Sequence, residues 1–314
     1  MLTFIGKRLM LLIPVIVGIS FVIFTIMDLT PGDPARLILG ELAPQDQVNA
    51  LREEMGLNDG FFVRYGRYAA NALRGDLGRS YRTNVPVVQE IAARLPTTVT
   101  LATGAIFIAV LIGLPVGILS AVRQYSIIDT ASLVSALLLT SMPNFWLGLV
   151  LILYFSLRLR MFPVAGADSF RAFVLPCITL AAATLAILIR MTRSTMLEVI
   201  RQDYIRTAKA KGAREFRIIF KHALRNALLP VVTVIGINFG IQLGGSVVIE
   251  HVFAMPGLGT LIIESVKMQD APAVMAAIMF IAIIGGLVNL AVDVLYMYID
   301  PRIKSQYVKV KAVK

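Results

Sequence analysis

Apolar residues in this chain gather into six runs, each long enough to cross about 30 Å of hydrocarbon. They cover residues 9–29, 99–122, 130–157, 172–189, 227–249 and 272–292. Each predicts a helix, because in lipid a lone segment satisfies its backbone only by bonding within itself. The stretch 30–98 has a different grain. Pro31-Gly-Asp-Pro34 ends the first run, since proline and glycine break regular structure. Residues 44–55 then read as a short amphipathic helix capped by Gly56, and 61–74 as a second closed by Gly75. Residues 86–94 are a third candidate, entering the second run through Leu95-Pro96. Prolines at Gly113-Leu-Pro115, Ser141-Met-Pro143-Asn144 and Pro176 predict kinks inside runs, where a ladder hydrogen bond is lost and the ring clashes.

Composition turns these runs into membrane spans. The 314 residues are 57% hydrophobic and 16% charged, with a mean hydropathy of +0.79, too few charges to clothe a water-soluble globule of this size. The net charge of +11 does not point to nucleic acid. The basic residues sit beside apolar runs, not on an aromatic-studded soluble face. Six spans put both termini on one side, and Lys7 and Arg8 before the first with Arg302, Lys304, Lys309, Lys311 and Lys314 after the last make that side cytoplasmic. The loop between the fourth and fifth runs agrees: from Arg190 to Arg225 it holds ten basic residues against Glu198, Asp203 and Glu215. The stretch 250–271 reverses the balance, with Glu250, Glu264 and Asp270 against Lys267. Arg158, Arg160 and Arg171 disagree, and the larger asymmetry decides. Residues 30–98 are then extracytoplasmic, with eight arginines and eight acidic residues. Lys7 and Arg8 flank the first run as they would a signal peptide, but its length and the missing small-residue cleavage site favour a retained span. Cys177 is the one cysteine, so an intrachain disulfide and a cysteine-based zinc site are excluded.

Candidate chemistry is sparse. There is no G-x-x-x-x-G-K-[ST] phosphate loop. His222 and His251 fall at predicted loop edges, so no His-Glu-x-x-His helix or Ser-His pair can form. Asp28 and Asp293 lie near run ends, from which they can snorkel. The deeper polar residues are neutral: Asn144, Asn238, Gln242 and Asn289. They either hydrogen-bond between helices or line a passage. The segment 203–212 has good helix formers in Ala208, Lys209, Ala210 and Lys211, and Gly212 can end it in a left-handed turn. A short helix standing off the membrane is predicted there.

Several blocks recur in an order that resembles a known family. They are Pro31-Gly-Asp-Pro34, Arg74-Gly-Asp-Leu-Gly78, Leu95-Pro-Thr-Thr98, Ser141-Met-Pro-Asn-Phe145, Tyr204-Ile-Arg-Thr-Ala-Lys-Ala-Lys-Gly212, His222-Ala-Leu-Arg-Asn226 and Glu250-His-Val-Phe-Ala-Met-Pro-Gly-Leu-Gly259, with Val292-Asp-Val-Leu-Tyr296 and Asp300-Pro301 at the end. The chain resembles the first of two permease subunits of type I ABC importers, in the dipeptide, oligopeptide, nickel and glutathione branch. The resemblance implies an all-α membrane protein of six transmembrane helices: residues 1–94 a first helix and extracytoplasmic segment, 95–299 the permease core, and 300–314 a cytoplasmic tail. It implies an inner-membrane protein, embedded in lipid, that performs no catalysis and holds no cofactor. Its partners would be a second homologous permease, two ATP-binding subunits that hydrolyse ATP, and an extracytoplasmic substrate-binding protein, with no nucleic acid. Coupling to the ATPase would run through Tyr204, Arg206, Thr207, Ala208, Ala210, Lys211 and Gly212. The general family pattern opens this loop with Glu-Ala-Ala, where this chain has Arg206-Thr-Ala208, so contacts of that glutamate do not carry over. Residues 30–98 and Phe253-Ala-Met-Pro-Gly257 are expected to meet the binding protein or shape an outer gate. The kinked spans suit a route that opens alternately to either side. Peptides are favoured as cargo over nickel, because no His, Cys or carboxylate cluster lines a span. A nickel permease of the same family and an ATP-independent secondary transporter are the alternatives.

Overall fold

The computed structural model describes residues 2–299, with side chains described except at 2–4, 245 and 295–299. The predicted tail 300–314 lies outside the described residues. Helix α1 (Leu2–Leu29) is the first span. Three short helices follow, α2 (Pro34–Leu39), α3 (Gln45–Glu54) and α4 (Phe61–Leu73). Both predicted glycine caps are present: Gly56 and Gly75 have φ of +64° and +84°. Behind each the chain closes a Schellman turn, with Leu57 donating to Arg52 O at 2.9 Å and Asp76 to Asn71 O at 3.0 Å.

The second span, α5 (Val87–Val122), runs unbroken through Pro96 and Pro115. The separate helix expected at 86–94 is therefore the start of this span, because one missing ladder bond does not part helices whose other bonds continue. The third run behaves differently. It forms α6 (Ile127–Ser141) and α7 (Asn144–Leu151), which continues as a π-helix over Ile152–Arg158. The two arms meet at 100° across Met142-Pro143. Pro143 takes the N-cap position of α7 in extended backbone, so the proline starts a new helix instead of kinking an old one.

Helix α8 (Phe170–Ile200) passes through Pro176 and outruns its apolar stretch to carry Arg190 and Arg193. Then come α9 (Asp203–Ala210), α10 (Glu215–Arg217), a π-helical turn over Ile218–Ala223, and α11 (Leu224–Gly245). Helix α12 (Val247–Val252) begins inside the fifth predicted run, α13 (Leu258–Lys267) lies in the stretch 250–271 read as a connection between runs, and α14 (Ala271–Ile299) is the last span. Among the described residues five helices are long and apolar enough to cross a membrane, and the bent α6–α7 pair makes a sixth if it counts as one span.

The described residues pack as two units, 2–99 with 254–284 and 100–253 with 285–299. In the first, Val87 and Ile91 meet Leu258 and Leu261 of α13 and Ala273, Ala276 and Ala277 of α14. An edge-to-face aromatic cluster of Phe21, Phe24, Phe61 and Tyr65 joins α1 to α4. In the second, α8 is the central helix, with Ala136 of α6 against its Ala186 and Ile189. Small residues let helices approach closely there. A Cβ at Gly117 would sit 2.6 Å from the Thr192 Cβ and 2.9 Å from the Ile189 carbonyl oxygen, which only glycine avoids.

Candidate functional site

The predicted helix off the membrane is α9. Asp203 sits in its first turn, where a carboxylate favours the positive end of the helix dipole. Its end is a complete Schellman turn: Gly212 has φ of +76°, its N–H donates to Lys209 O at 2.9 Å, and Ala213 N–H donates to Ala208 O at 3.2 Å. Nothing lies within 4 Å of where a Gly212 Cβ would be, so glycine is required there by backbone conformation, not by space.

Ile205 is the one fully buried residue of α9. It enters a core made by Ala121 at the end of α5, Met196 near the end of α8, and Ile218, Ala223 and Ala227 leading into α11. Burying such a side chain is worth about 1.5–3 kcal/mol, and here it ties α9 to three spans at once. A second tie is polar. The Asn226 amide donates to the Tyr204 hydroxyl at 2.8 Å and to the His222 carbonyl at 3.2 Å. Tyr204, Arg206, Thr207, Ala210 and Lys211 remain exposed, and Ala208 is half-buried. The Asp203–Arg206 ion pair at 3.7 Å is almost fully exposed and adds little.

Two exposed aromatic residues follow α9 in the chain without having been expected. Phe216 and Phe220 are exposed, with ring centroids 4.5 Å apart. Their only sequence signal is two aromatics at i and i+4 in an otherwise basic segment. Beneath α9 a brace also escapes sequence reading. Arg193 of α8 donates to both carboxylate oxygens of Asp129 at 2.6 and 2.9 Å, while Ser120 at 2.6 Å and the Tyr125 N–H at 2.9 Å complete its shell. In this bidentate pair Asp129 is buried and Arg193 half-buried, and with Ser120 it links α5, α6 and α8.

The neutral polar residues fall into distinct settings. Asn238 and Gln242 lie one turn apart on α11 and share Thr184 of α8: Gln242 Nε2 donates to Thr184 Oγ1 at 2.8 Å, and Thr184 Oγ1 to Asn238 Oδ1 at 3.4 Å. Gln242 is buried, and its Oε1 has no hydrogen-bond partner, a condition that costs about 1–3 kcal/mol for a polar group cut off from water. Asn289 of α14 is exposed, with its Oδ1 3.8 Å from where a Gly240 Cβ would sit. Asn144 is the first residue of α7, at the 100° break, and is half-buried.

In the first unit a buried carboxylate organises the polar surface. Asp270, capping α14, accepts from Ser80 Oγ at 2.5 Å, the Tyr81 N–H at 3.1 Å and the Ala273 N–H at 3.4 Å. It thereby fixes the loop 78–86, which is closed by an antiparallel bridge between Arg79 and Pro86. Burial, with Asp270 adding to it and Arg64 opposing, pushes the Tyr81 phenol up to about 12. Burial and then Tyr65 push Tyr68 up to about 12 as well. Both stay neutral at physiological pH. Glu250 and Asp270, counted above in the charge balance of 250–271, are 0% and 2% exposed. Glu264 is the acidic side chain of that stretch that does meet solvent.

Among the described residues, apolar helices long enough to span a membrane, with one short capped helix pinned to the ends of three of them, define a helical multi-span membrane protein. The family model for the inner membrane component of binding-protein-dependent transport systems matches residues 113–305, and the model for the N-terminal part of such components matches 1–102. The chain belongs to this family. It is 42% identical to the dipeptide transport system permease protein of Alkalihalophilus pseudofirmus over 97% of this chain and 100% of that one. It is also 42% identical to the glutathione transport system permease protein of Escherichia coli K12, over 97% of this chain and 99% of that one. Among solved structures, the inward-facing MetNI methionine ABC transporter aligns with a TM-score of 0.58 at 23% identity, covering 68% of this chain and 98% of the other. An amino acid ABC transporter aligns with a TM-score of 0.51 at 19% identity. At these identities the likeness establishes the fold.

Proposed function

We propose that this chain is the permease subunit of an ATP-driven importer that carries short peptides, glutathione-like tripeptides included, across the cytoplasmic membrane by alternating access. The observation that carries the mechanism is Ile205, buried in a core shared by the ends of α5, α8 and α11. A push on the exposed face of α9 moves three spans together, because packed cores shift between discrete arrangements and do not deform freely. The push comes from a separate ATP-hydrolysing subunit docked on Tyr204, Arg206, Thr207, Ala208, Ala210, Lys211 and Gly212, with Phe216 and Phe220 extending the contact. The chain itself performs no chemistry. Its other partners are a homologous permease, a second ATP-binding subunit and an extracytoplasmic binding protein. Both termini face the cytoplasm, which puts 30–86 outside.

Peptide cargo is supported by the dipeptide and glutathione permeases among its relatives. The polar groups offered by the spans also suit it: Asn144, Asn238, Gln242 and Asn289 can host a zwitterion without burying a charge. The nickel alternative is not favoured, because the relatives named above are dipeptide and glutathione permeases. The test is uptake into proteoliposomes holding the complete complex and its binding protein. Labelled dipeptide or glutathione is expected to enter only with ATP inside or at the ATPase face. Uptake that persists without nucleotide would show a secondary transporter instead.

A further inference from the structure

A cavity of about 1160 Å³ opens within the first unit. It is bounded by the end of α1, the helices α2 to α4, the loop 78–86 and the start of α14. Phe24, Met27 and Met275 supply apolar lining. The charged lining is uneven, with five arginines against Asp28, Asp33 and Glu54. Three of the arginines have carboxylates of their own: Arg64 with Asp28 at 2.5 Å, Arg52 with Asp33 at 3.4 Å, and Arg67 with Asp59.

The other two do not. Arg79 donates to a neutral acceptor, the Asn84 carbonyl, at 3.0 Å. Arg82 comes only within 3.9 Å of Glu264, which Arg94 holds more closely at 3.3 Å. On the acidic side Glu54 forms no ion pair among the described residues. One guanidinium without a carboxylate, one that only shares Glu264 with Arg94, and the carboxylate of Glu54 thus line the same cavity, and both guanidiniums stand on a loop held from behind by buried Asp270. Guanidinium forks match carboxylates in shape as well as charge. A rigid support lowers the ordering cost of using them.

We propose that this cavity is a peptide site separate from the transmembrane passage, taking a short zwitterionic peptide with its free C-terminal carboxylate on Arg79 and Arg82 and its ammonium on Glu54. Resting on the import function proposed above, it gives cargo a station on the outer face between the binding protein and the spans. Its volume exceeds what a tripeptide needs, so peptides of different sequence fit, read mainly by their two ends.

The test uses the purified permease–ATPase complex in nanodiscs, without binding protein, titrated calorimetrically with trialanine, its C-terminal amide and its N-acetyl derivative. Trialanine is expected to bind, and each blocked peptide to bind about tenfold more weakly, as loss of a charge-assisted contact predicts. Arg79→Gln with Arg82→Gln should abolish the preference for a free carboxylate, and Glu54→Gln the preference for a free ammonium. All three side chains are on exposed residues, so the variants are expected to fold, and unchanged melting would verify it. Absence of trialanine binding, or equal binding by wild type and the triple variant, overturns the site. Variants that weaken capture of the binding protein while no peptide binds directly overturn it too, in favour of a protein-docking surface. Failure of peptide import is a separate result, read as absence of peptide-stimulated ATP hydrolysis when the binding protein is present.

Discussion

Helix α9 and the helices α3 and α4 are built from the same local parts and held in opposite ways. All three end in a Schellman turn on a left-handed glycine. Those two helices are then fastened at several points: an aromatic cluster ties α4 to α1, Arg64 pairs with Asp28, Arg52 of α3 pairs with Asp33, and Asp270 clamps the loop 78–86. Helix α9 rests on one buried side chain and one hydroxyl contact. On the proposed function, many fasteners suit a platform that keeps its shape, and a single pin shared by three spans suits a lever with most of its surface left for a partner. Stability and transmission are then expected to be separable.

Breaking the platform should cost most. Asp270→Ala leaves the buried Ser80 hydroxyl and the Tyr81 N–H without their acceptor, and at about 1–3 kcal/mol for each orphaned group the loss is ~2–6 kcal/mol. A markedly lowered melting temperature of the purified complex is the expected reading. Ile205→Ala removes the pin, at about 2–5 kcal/mol for a large-to-small change in a core. Here the loss should be local: faster hydrogen exchange over 203–213 and loss of uptake, with the melting temperature moved less than by Asp270→Ala. Equal global destabilisation by both would erase the distinction between lever and platform. Gly212→Val has room for its side chain but not for its backbone conformation, costing about 1–2 kcal/mol. It should fray the end of α9 and reduce coupling while the chain still inserts. Arg206→Gln breaks an exposed pair and should change stability by less than about 0.5 kcal/mol.

What the sequence discloses and what it hides divide along physical lines. Spans, glycine caps and α9 itself are local: hydropathy sums over one segment, and a left-handed residue is chosen by its own backbone. The 100° break at Pro143 is not, because Pro96, Pro115 and Pro176 look alike in sequence and leave their helices whole. Pairings such as Asp129 with Arg193 or Ser80 with Asp270 join residues 64 and 190 positions apart and leave no periodic trace. Burial within protein and burial within lipid also look the same to hydropathy. Hence Glu250 and Asp270 count as loop charges in sequence and as interior groups in the structure, and α13 passes for a loop. The same blindness covers the seam in which Asn238 and Gln242 meet Thr184, since a polar residue in a span carries no label for the side it faces.

The lever is tested most directly at Ala210, which is exposed and touches no core of its own chain. Ala210→Glu should leave expression, insertion and melting unchanged, yet place a bulky charge in the contact with the ATP-hydrolysing subunit. Substrate-stimulated ATP hydrolysis and peptide uptake by the reconstituted complex are expected to fall together to background. Full coupled activity in the Ala210→Glu complex would mean that α9 does not carry the stroke of the ATPase into the membrane.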